Sequence, residues 1–347
     1  MSEDVLTFSE GKVGRIRLNR PKAIHALTTA MCQAMTDALL AWRENPAVEA
    51  VLIDHAEGRG FCAGGDVLML RESGIGDGSQ ARAFFLTEYR LNHLLFTYPK
   101  PIAAFMDGIT MGGGVGISQP ARFRVATEST RFAMPETTIG LFPDVGGGWY
   151  LSRLPGRTGQ YLALTGARMD GAECRYLGLA THYVPAERLE EVKARIAQAP
   201  ERIEGILGEA SGDPGAPKIE EALGRINKAF ASDRFEGVLA ALDADESEWA
   251  QRELAGLRTK SPQACKVSLR LLAQGARMPD FAAEMRQEYA VAVRVVARPD
   301  FSEGVRALLV DKDNAPRWNP ATPEEVTDAL LDEIFAPLPK GQEWTPL

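Results

Sequence analysis

The feature that most constrains this fold is a repeated order of strand, glycine-rich loop and helix in the first half of the chain. Residues 48–55 (VEAVLIDH) have the apolar character of a buried strand and lead into the loop AEGRGFCAGGD at 56–66. Residues 102–106 (IAAFM) form a second such strand and lead into DGITMGGGVGIS at 107–118, which we interpret as a glycine-rich turn entering a helix. This alternation predicts an α/β architecture.

The character of the sequence changes after about residue 186. Charged helical patterns dominate there, as at 233–258 and 279–298, and few strand patterns occur. We therefore divide the chain at residues 1–190 and 191–347, and expect the second part to be mainly helical and to complete the fold. The 347 residues are enough for one large domain with such an extension.

Charge and cysteine content exclude several classes of protein. The formal net charge of −8 argues against nucleic-acid binding, and no run of about 18 apolar residues is present to span a membrane. The N-terminus starts acidic and lacks the pattern of a signal peptide, so we expect a cytoplasmic protein. The four cysteines are scattered without a CxxC pair, which predicts structural thiols and no metal site.

Residues 131–150 (RFAMPETTIGLFPDVGGGWY) carry the strongest chemical signal. Glu136 and Asp144 lie eight residues apart in a largely apolar segment interrupted by glycine and proline. Desolvating a carboxylate is costly, so a carboxylate in an apolar pocket is a candidate general base, general acid or nucleophile. The alternative is a turn that contains a helix cap and a surface aspartate.

The two glycine-rich loops have more than one interpretation. The first fits the dinucleotide pattern GxGxxG/A loosely at residues 58–63, but residues 64–66 prolong the loop where a helix should begin. The second leads into a helix, whose first N–H groups have no intrahelical acceptor. Two such loops can each direct one N–H at a developing oxyanion. Close helix packing is the alternative, and no GxSxG, P-loop or HExxH motif is present.

Four segments, taken together, resemble the enoyl-CoA hydratase/isomerase (crotonase) superfamily in order and spacing. They are NRPKAIHALT at 19–28, GRGFCAGGD at 58–66, DGITMGGGVGIS at 107–118 and MPETTIGLFPDVGGG at 134–148. The resemblance covers residues 5–185 and continues at 301–318. It implies a spiral of repeated ββα units over residues 1–190, followed by a helical C-terminal part.

The resemblance also implies a site. The backbone N–H groups of Gly65 and Gly113 would form an oxyanion hole, and Glu136 would act as nucleophile or general base. The implied partner is an acyl-CoA thioester, with no metal and no cofactor beyond the CoA of the substrate. Relatives often form trimers or hexamers, so a homo-oligomer stays open.

Departures from the hydratase pattern indicate a subgroup. Hydratases usually carry an acid where this chain has Gly116, and glycine where this chain has Asp144. In this respect the chain most resembles the 3-hydroxyisobutyryl-CoA hydrolase group, in which Glu88 matches a further acidic substrate-site position. This resemblance implies hydrolysis of a short 3-hydroxyacyl-CoA thioester in valine degradation.

Two other functions stay open from the sequence. An enoyl-CoA isomerase or an atypical enoyl-CoA hydratase would need Glu136 alone, and Asp144 would then be incidental. A non-catalytic acyl-CoA-binding protein would retain the loops without turnover.

Overall fold

The computed structural model describes residues 3–347 and contains a six-stranded sheet in the order β1-β2-β3-β4-β6-β8. The strands are β1 (Val5–Glu10), β2 (Val13–Leu18), β3 (Ala50–His55), β4 (Ile102–Met106), β5 (Ile109–Met111), β6 (Phe123–Ala126), β7 (Arg131–Ala133) and β8 (His182–Tyr183). The first pair is antiparallel, and every later pair in this sheet is parallel. Parallel pairing requires crossover connections, which the intervening loops and helices supply.

Sixteen α-helices occur in the described residues. They are α1 (Thr29–Arg43), α2 (Val67–Ile75), α3 (Ser79–Phe96), α4 (Gly113–Ser118), α5 (Gly147–Leu151), α6 (Thr158–Thr165), α7 (Gly171–Tyr176), α8 (Leu189–Gln198), α9 (Ile203–Ala210), α10 (Ile219–Ala229), α11 (Phe235–Asp243), α12 (Glu248–Leu257), α13 (Pro262–Gly275), α14 (Phe281–Val295), α15 (Pro299–Val305) and α16 (Asp328–Phe335). Short 3-10 turns occupy Pro21–Ala23, Glu136–Ile139, Ala186–Arg188, Pro200–Arg202 and Pro323–Glu325, and a π turn occupies Arg306–Val310.

A second, smaller sheet explains why the chain coils into a spiral. In it β5 pairs in parallel with β7, and single bridges add Cys62 beside Thr110 and Met169 beside Phe132. Each turn of the chain therefore gives one strand to the large sheet and one extended segment to the small sheet. This is the predicted crotonase-like arrangement, and it brings the loops that leave the small sheet to one edge.

Local sequence signals explain several element boundaries. The side chain of Thr28 accepts a hydrogen bond from the Met31 N–H at 3.2 Å and so caps the N-terminus of α1. The segment Ile109–Met111, predicted as part of a turn, is a strand because it pairs with β7. The helical pattern at 233–258 forms two helices, since α11 ends at Asp243 and α12 begins at Glu248.

The C-terminal helices share a hydrophobic core with the spiral. Helix α14 packs on α3, and α13 packs on α5 and α6, so Phe85 and Leu272 belong to one buried cluster. Helices α8 and α9 cover the other face of the large sheet around Phe105. All four cysteines are free and buried. Within residues 3–347, no helix combines the length and apolar character needed to cross a membrane.

Candidate active site

A cavity of about 600 Å³ opens where the spiral loops meet α3. It is lined by the loop after Cys62, by the start of α4 and by the 3-10 turn after β7. Asp144 and Val145 also line it, and they begin a turn formed by residues 144–148, the 144–148 turn. The five predicted site residues all line it: Gly65, Glu88, Gly113, Glu136 and Asp144. The structure therefore brings together every residue selected from the sequence, and the apolar wall includes Phe84, Phe85, Leu70 and Leu141.

Two residues that line this cavity have backbone N–H groups without a hydrogen-bond acceptor in residues 3–347. Gly113 is the first residue of α4, where a helix leaves its N–H groups unpaired, and neither Gly65 nor Gly113 donates a hydrogen bond to any described residue. A Cβ atom added to Gly64 would lie 3.8 Å from the Gly113 nitrogen, so the two loops lie side by side. This arrangement can bind one developing oxyanion.

Glu136 begins the 3-10 turn that follows β7. Its backbone carbonyl accepts the Leu141 N–H at 3.0 Å, which fixes the turn, and its side chain is 5% exposed. The Glu136 Oε2 atom is buried and has no hydrogen-bond partner among the described residues. Burial, and then the charge of Asp144, raise the pKa of Glu136 well above its usual range.

Glu88 reaches the same cavity from α3. A Cβ atom added to Gly113 would lie 2.7 Å from Glu88 Oε1, whereas one added to Gly112 would lie 3.2 Å from Glu136 Oε1. The two glutamates therefore approach the second glycine loop together. Glu88 Oε1 is also buried without a partner in residues 3–347, and burial followed by the charge of Asp144 raises its pKa.

Asp144 is held differently, because one oxygen has a partner. The Tyr89 hydroxyl donates to Asp144 Oδ2 at 2.7 Å, which leaves the second carboxylate oxygen available. Burial raises the pKa of Asp144 to about 6, and the hydrogen bond from Tyr89 opposes this shift. No salt bridge within the described residues reaches any of the three carboxylates; the basic side chains that line the cavity are Arg168 and Lys260.

The position of Gly116 has no room for a side chain. A Cβ atom there would lie 2.6 Å from the Cβ of Val145 and 2.9 Å from Asn92 Nδ2, closer than van der Waals contact allows. Val145 follows Asp144 directly and adopts φ +54°, in the left-handed region. The turn that carries Asp144 therefore fills the space where hydratases carry an acid.

Three residues that support the site were not identified from the sequence. Tyr89 was not selected, although it neighbours Glu88 on a helix with a largely apolar buried face. Glu284 and Glu288 were also missed; their spacing of four residues in an apolar helix was an available signal for two acids on one buried face. Within the described residues, no group of three His, Cys, Asp or Glu side chains is arranged to hold a metal ion.

Comparison with known sequences gives consistent matches over nearly the whole chain. The family described as enoyl-CoA hydratase/isomerase matches residues 13–335. The mitochondrial 3-hydroxyisobutyryl-CoA hydrolase of Xenopus tropicalis is 40% identical over 344 residues, which cover 96% of this chain and 89% of that protein. The human protein of the same name is 39% identical over 346 residues, covering 97% and 89%.

Solved structures agree on the fold but carry different names. A structure described as a carnitinyl-CoA dehydratase from Mycobacterium thermoresistibile superimposes with a TM-score of 0.94 at 41% identity, covering 99% of both chains. One described as an enoyl-CoA hydratase from Rhodobacter sphaeroides 2.4.1 has a TM-score of 0.92 at 37% identity, again covering 99% of both.

Proposed function

The chain belongs to the enoyl-CoA hydratase/isomerase family, and we propose that within it the chain hydrolyses a short 3-hydroxyacyl-CoA thioester, with 3-hydroxyisobutyryl-CoA as its substrate. The products are 3-hydroxyisobutyrate and free CoA, as in valine degradation. The relatives named 3-hydroxyisobutyryl-CoA hydrolase support this choice of substrate.

The proposal rests on where the acids lie in the cavity: compared with a hydratase, the chain lacks an acid at Gly116 and has one at Asp144. Hydration in this family normally uses two glutamates that flank one water. Here the space at Gly116 is filled by Val145 and Asn92, and the other acids in the cavity are Asp144 and Glu88. The cavity therefore keeps Glu136 beside the oxyanion donors but has no acid at the position of Gly116, where a hydratase carries its second glutamate.

The oxyanion donors define where the thioester carbonyl binds. With its oxygen between the N–H groups of Gly65 and Gly113, the carbonyl carbon becomes electrophilic, and each donor of this kind contributes about 3–4 kcal/mol to lowering the barrier. Both donors belong to the main chain, so they do not depend on a side chain that titrates.

Glu136 then acts in one of two ways. Its carboxylate either attacks the carbonyl carbon to form a mixed anhydride, which water cleaves, or removes a proton from the attacking water. In both routes the carbon–sulfur bond breaks and water supplies the oxygen of the new carboxylate. The CoA thiolate leaves and takes up a proton, and a thiol pKa of about 8.5 makes a strong general acid unnecessary.

Asp144 is assigned to the 3-hydroxyl group of the substrate. Tyr89 occupies one of its oxygens, so the other can accept a hydrogen bond from that hydroxyl. Glu88, which reaches the cavity from α3, is assigned to substrate binding. A site that forms such a hydrogen bond discriminates strongly against substrates that lack the hydroxyl.

The solved structures named as a dehydratase and a hydratase support a second candidate, hydration or isomerisation of an enoyl-CoA. Release of free CoA separates the two. Purified protein is incubated with 3-hydroxyisobutyryl-CoA, isobutyryl-CoA and crotonyl-CoA, and a thiol reagent reports free CoA. We expect thiol release that is fastest with the first substrate; conversion of crotonyl-CoA without thiol release would favour the second candidate.

The two roles of Glu136 need a separate test. If Glu136 forms an anhydride, hydroxylamine added during turnover should attack the Glu136 carbonyl and leave a hydroxamate on this residue. Mass spectrometry of the protein detects that modification. Activation of water leaves Glu136 unmodified under the same conditions. The Glu136→Gln variant is the matched control, because its side chain forms no anhydride.

Cytoplasmic location and assembly into a homo-oligomer stay predictions. Fractionation of cells that express the tagged chain tests the first. Light scattering after size-exclusion chromatography tests the second.

A further inference from the structure

A carboxylate outside the cavity binds the backbone of the 144–148 turn. Glu288 of α14 accepts the Gly146 N–H at 2.7 Å on Oε2 and the Gly148 N–H at 3.0 Å on Oε1. Both bonds are buried, and they join residues that are more than 100 positions apart in the chain. One turn of the backbone therefore occupies both oxygens of this carboxyl group.

The turn needs such support because its backbone is strained. Val145 has φ +54° and Gly146 has φ +93°, so two consecutive residues lie in the left-handed region. For a β-branched residue this conformation is a genuine outlier and persists only where the surroundings impose it. Without its N–H bonds to Glu288, the turn would lose the contact that opposes this strain.

A second buried acid, Glu284, lies one helical turn before Glu288 on α14. It is fully buried, and neither of its oxygens accepts a hydrogen bond from a described donor. Two neighbouring buried carboxylates do not both ionise. Burial raises the pKa of both groups, that of Glu288 well above its usual range and that of Glu284 to about 7, so the pair carries at most one negative charge.

We propose that Glu288 is a positioning residue which holds the 144–148 turn through two backbone N–H groups and so sets the direction of the Asp144 carboxylate. Glu284 is its buried neighbour on the same face of α14, and the two acids share at most one negative charge. The inference rests on the proposed function only for what Asp144 contributes to turnover. Glu288 itself is not among the residues that line the cavity.

The test compares two isosteric variants on adjacent turns of α14. Glu288→Gln replaces one of the two acceptor oxygens with an amide group that repels an N–H donor, and should lower kcat for 3-hydroxyisobutyryl-CoA by about tenfold to a hundredfold. Glu284→Gln keeps the shape of a side chain that accepts no hydrogen bond from the 144–148 turn, and should lower kcat by less than about threefold. Glu288→Asp, which keeps the carboxyl group, should fall between them and serves if the glutamine variant does not fold.

Coupling to Asp144 distinguishes positioning from general stability. In an Asp144→Asn background, Glu288→Gln should cost little more, because the carboxylate that it positions is already absent. Hydrogen–deuterium exchange of residues 144–148 should be faster in Glu288→Gln than in wild type and close to wild type in Glu284→Gln.

Additive losses in the double variant would overturn the inference, as would unchanged exchange at residues 144–148. Failure of the proposed function is a different result. In that case the wild-type protein releases no CoA from any 3-hydroxyacyl-CoA, yet the exchange measurement still reports whether Glu288 holds the turn.

Discussion

Asp54 and Glu136 are both buried carboxylates, but their surroundings are opposite. Asp54, on β3, is 1% exposed and lies 2.6 Å from Arg15, 3.0 Å from Lys193 and 3.2 Å from Arg17. Its burial acts to raise its pKa, yet Lys193, Arg17 and Arg15 together lower the pKa to about 2. Glu136 has no such cation among the described residues, and its pKa is raised.

The difference shows which buried acids indicate chemistry. A fully paired carboxylate has its desolvation offset by counter-charges and stays ionised, so it links structural elements. An unpaired carboxylate in a cavity keeps an oxygen and a titratable proton for a ligand. Burial alone therefore does not distinguish the two sites, whereas the absence of a counter-charge does.

The largest expected effect comes from removing the unpaired acid Glu136, and it is an effect on turnover. Glu136→Gln should lower kcat by about 10³-fold or more, since it removes the nucleophile or general base. Because the substitution also removes an unpaired buried acid, the thermal midpoint should not fall. Steady-state CoA release and thermal unfolding on the same sample provide the two measurements. Turnover similar to wild type would end the catalytic assignment.

The matching change at the paired site should affect stability instead. Asp54→Asn removes the one buried carboxylate that Arg15 and Lys193 share and should lower the free energy of unfolding by about 3 kcal/mol. The kcat of the folded protein should stay unchanged. Glu190→Gln is the control, because this exposed member of the same cluster should contribute less than about 1 kcal/mol. Equal destabilisation by both variants would contradict the comparison.

Asp144→Asn should have a smaller effect that depends on the substrate. We expect kcat/KM for 3-hydroxyisobutyryl-CoA to fall by about tenfold to a hundredfold, because a buried acceptor for the hydroxyl is weakened. The loss for isobutyryl-CoA, which lacks the hydroxyl, should be smaller. Equal losses on both substrates would remove the proposed recognition of the hydroxyl group by Asp144.

The smallest expected effect is the pH dependence of stability, which has opposite signs at the two kinds of site. The pKa is raised to about 6 at Asp144 and to about 7 at Glu284, so the folded state holds protons that the unfolded state has released. Stability should therefore fall as pH rises from about 5 to about 8, through the pKa values of the folded state. At Asp54 the lowered pKa stabilises the folded state above pH 3.8, and this contribution is lost as pH falls through about 2.

Denaturant unfolding across this pH range provides the measurement. Asp144→Asn and Glu284→Gln should each flatten the decline between about pH 5 and about pH 8. An unchanged slope in both variants would show that other groups cause it.

The fold class and the five site residues could be predicted because their signals are local in the sequence. Strand β4 matches its predicted bounds, and Gly65, Gly113 and Glu136 lie in short motifs that mark loops. Contacts between distant segments could not be predicted in this way. The bond from Tyr89 to Asp144 joins residues 55 positions apart, and its formation depends on how α3 packs against the spiral.

The backbone conformation of Val145 could not be predicted from the sequence either. A β-branched residue disfavours positive φ, so the local preference points away from the observed turn. The support comes from α14, whose position is set by packing on α3 rather than by residues near the turn. Interpretation of a single sequence therefore finds the acids that line the cavity but not the contacts that orient them.

The spiral has a consequence for how a reaction can change within one fold. Successive turns supply the first N–H donor, the second N–H donor and Glu136, so one turn can be altered while the others keep their geometry. Since the donors are main-chain atoms, substitutions that move an acid from the position of Gly116 to that of Asp144 leave the oxyanion hole intact. The architecture therefore separates activation of the thioester carbonyl from the position of the acid that determines the reaction. The reaction can consequently change while the activation of the carbonyl is kept.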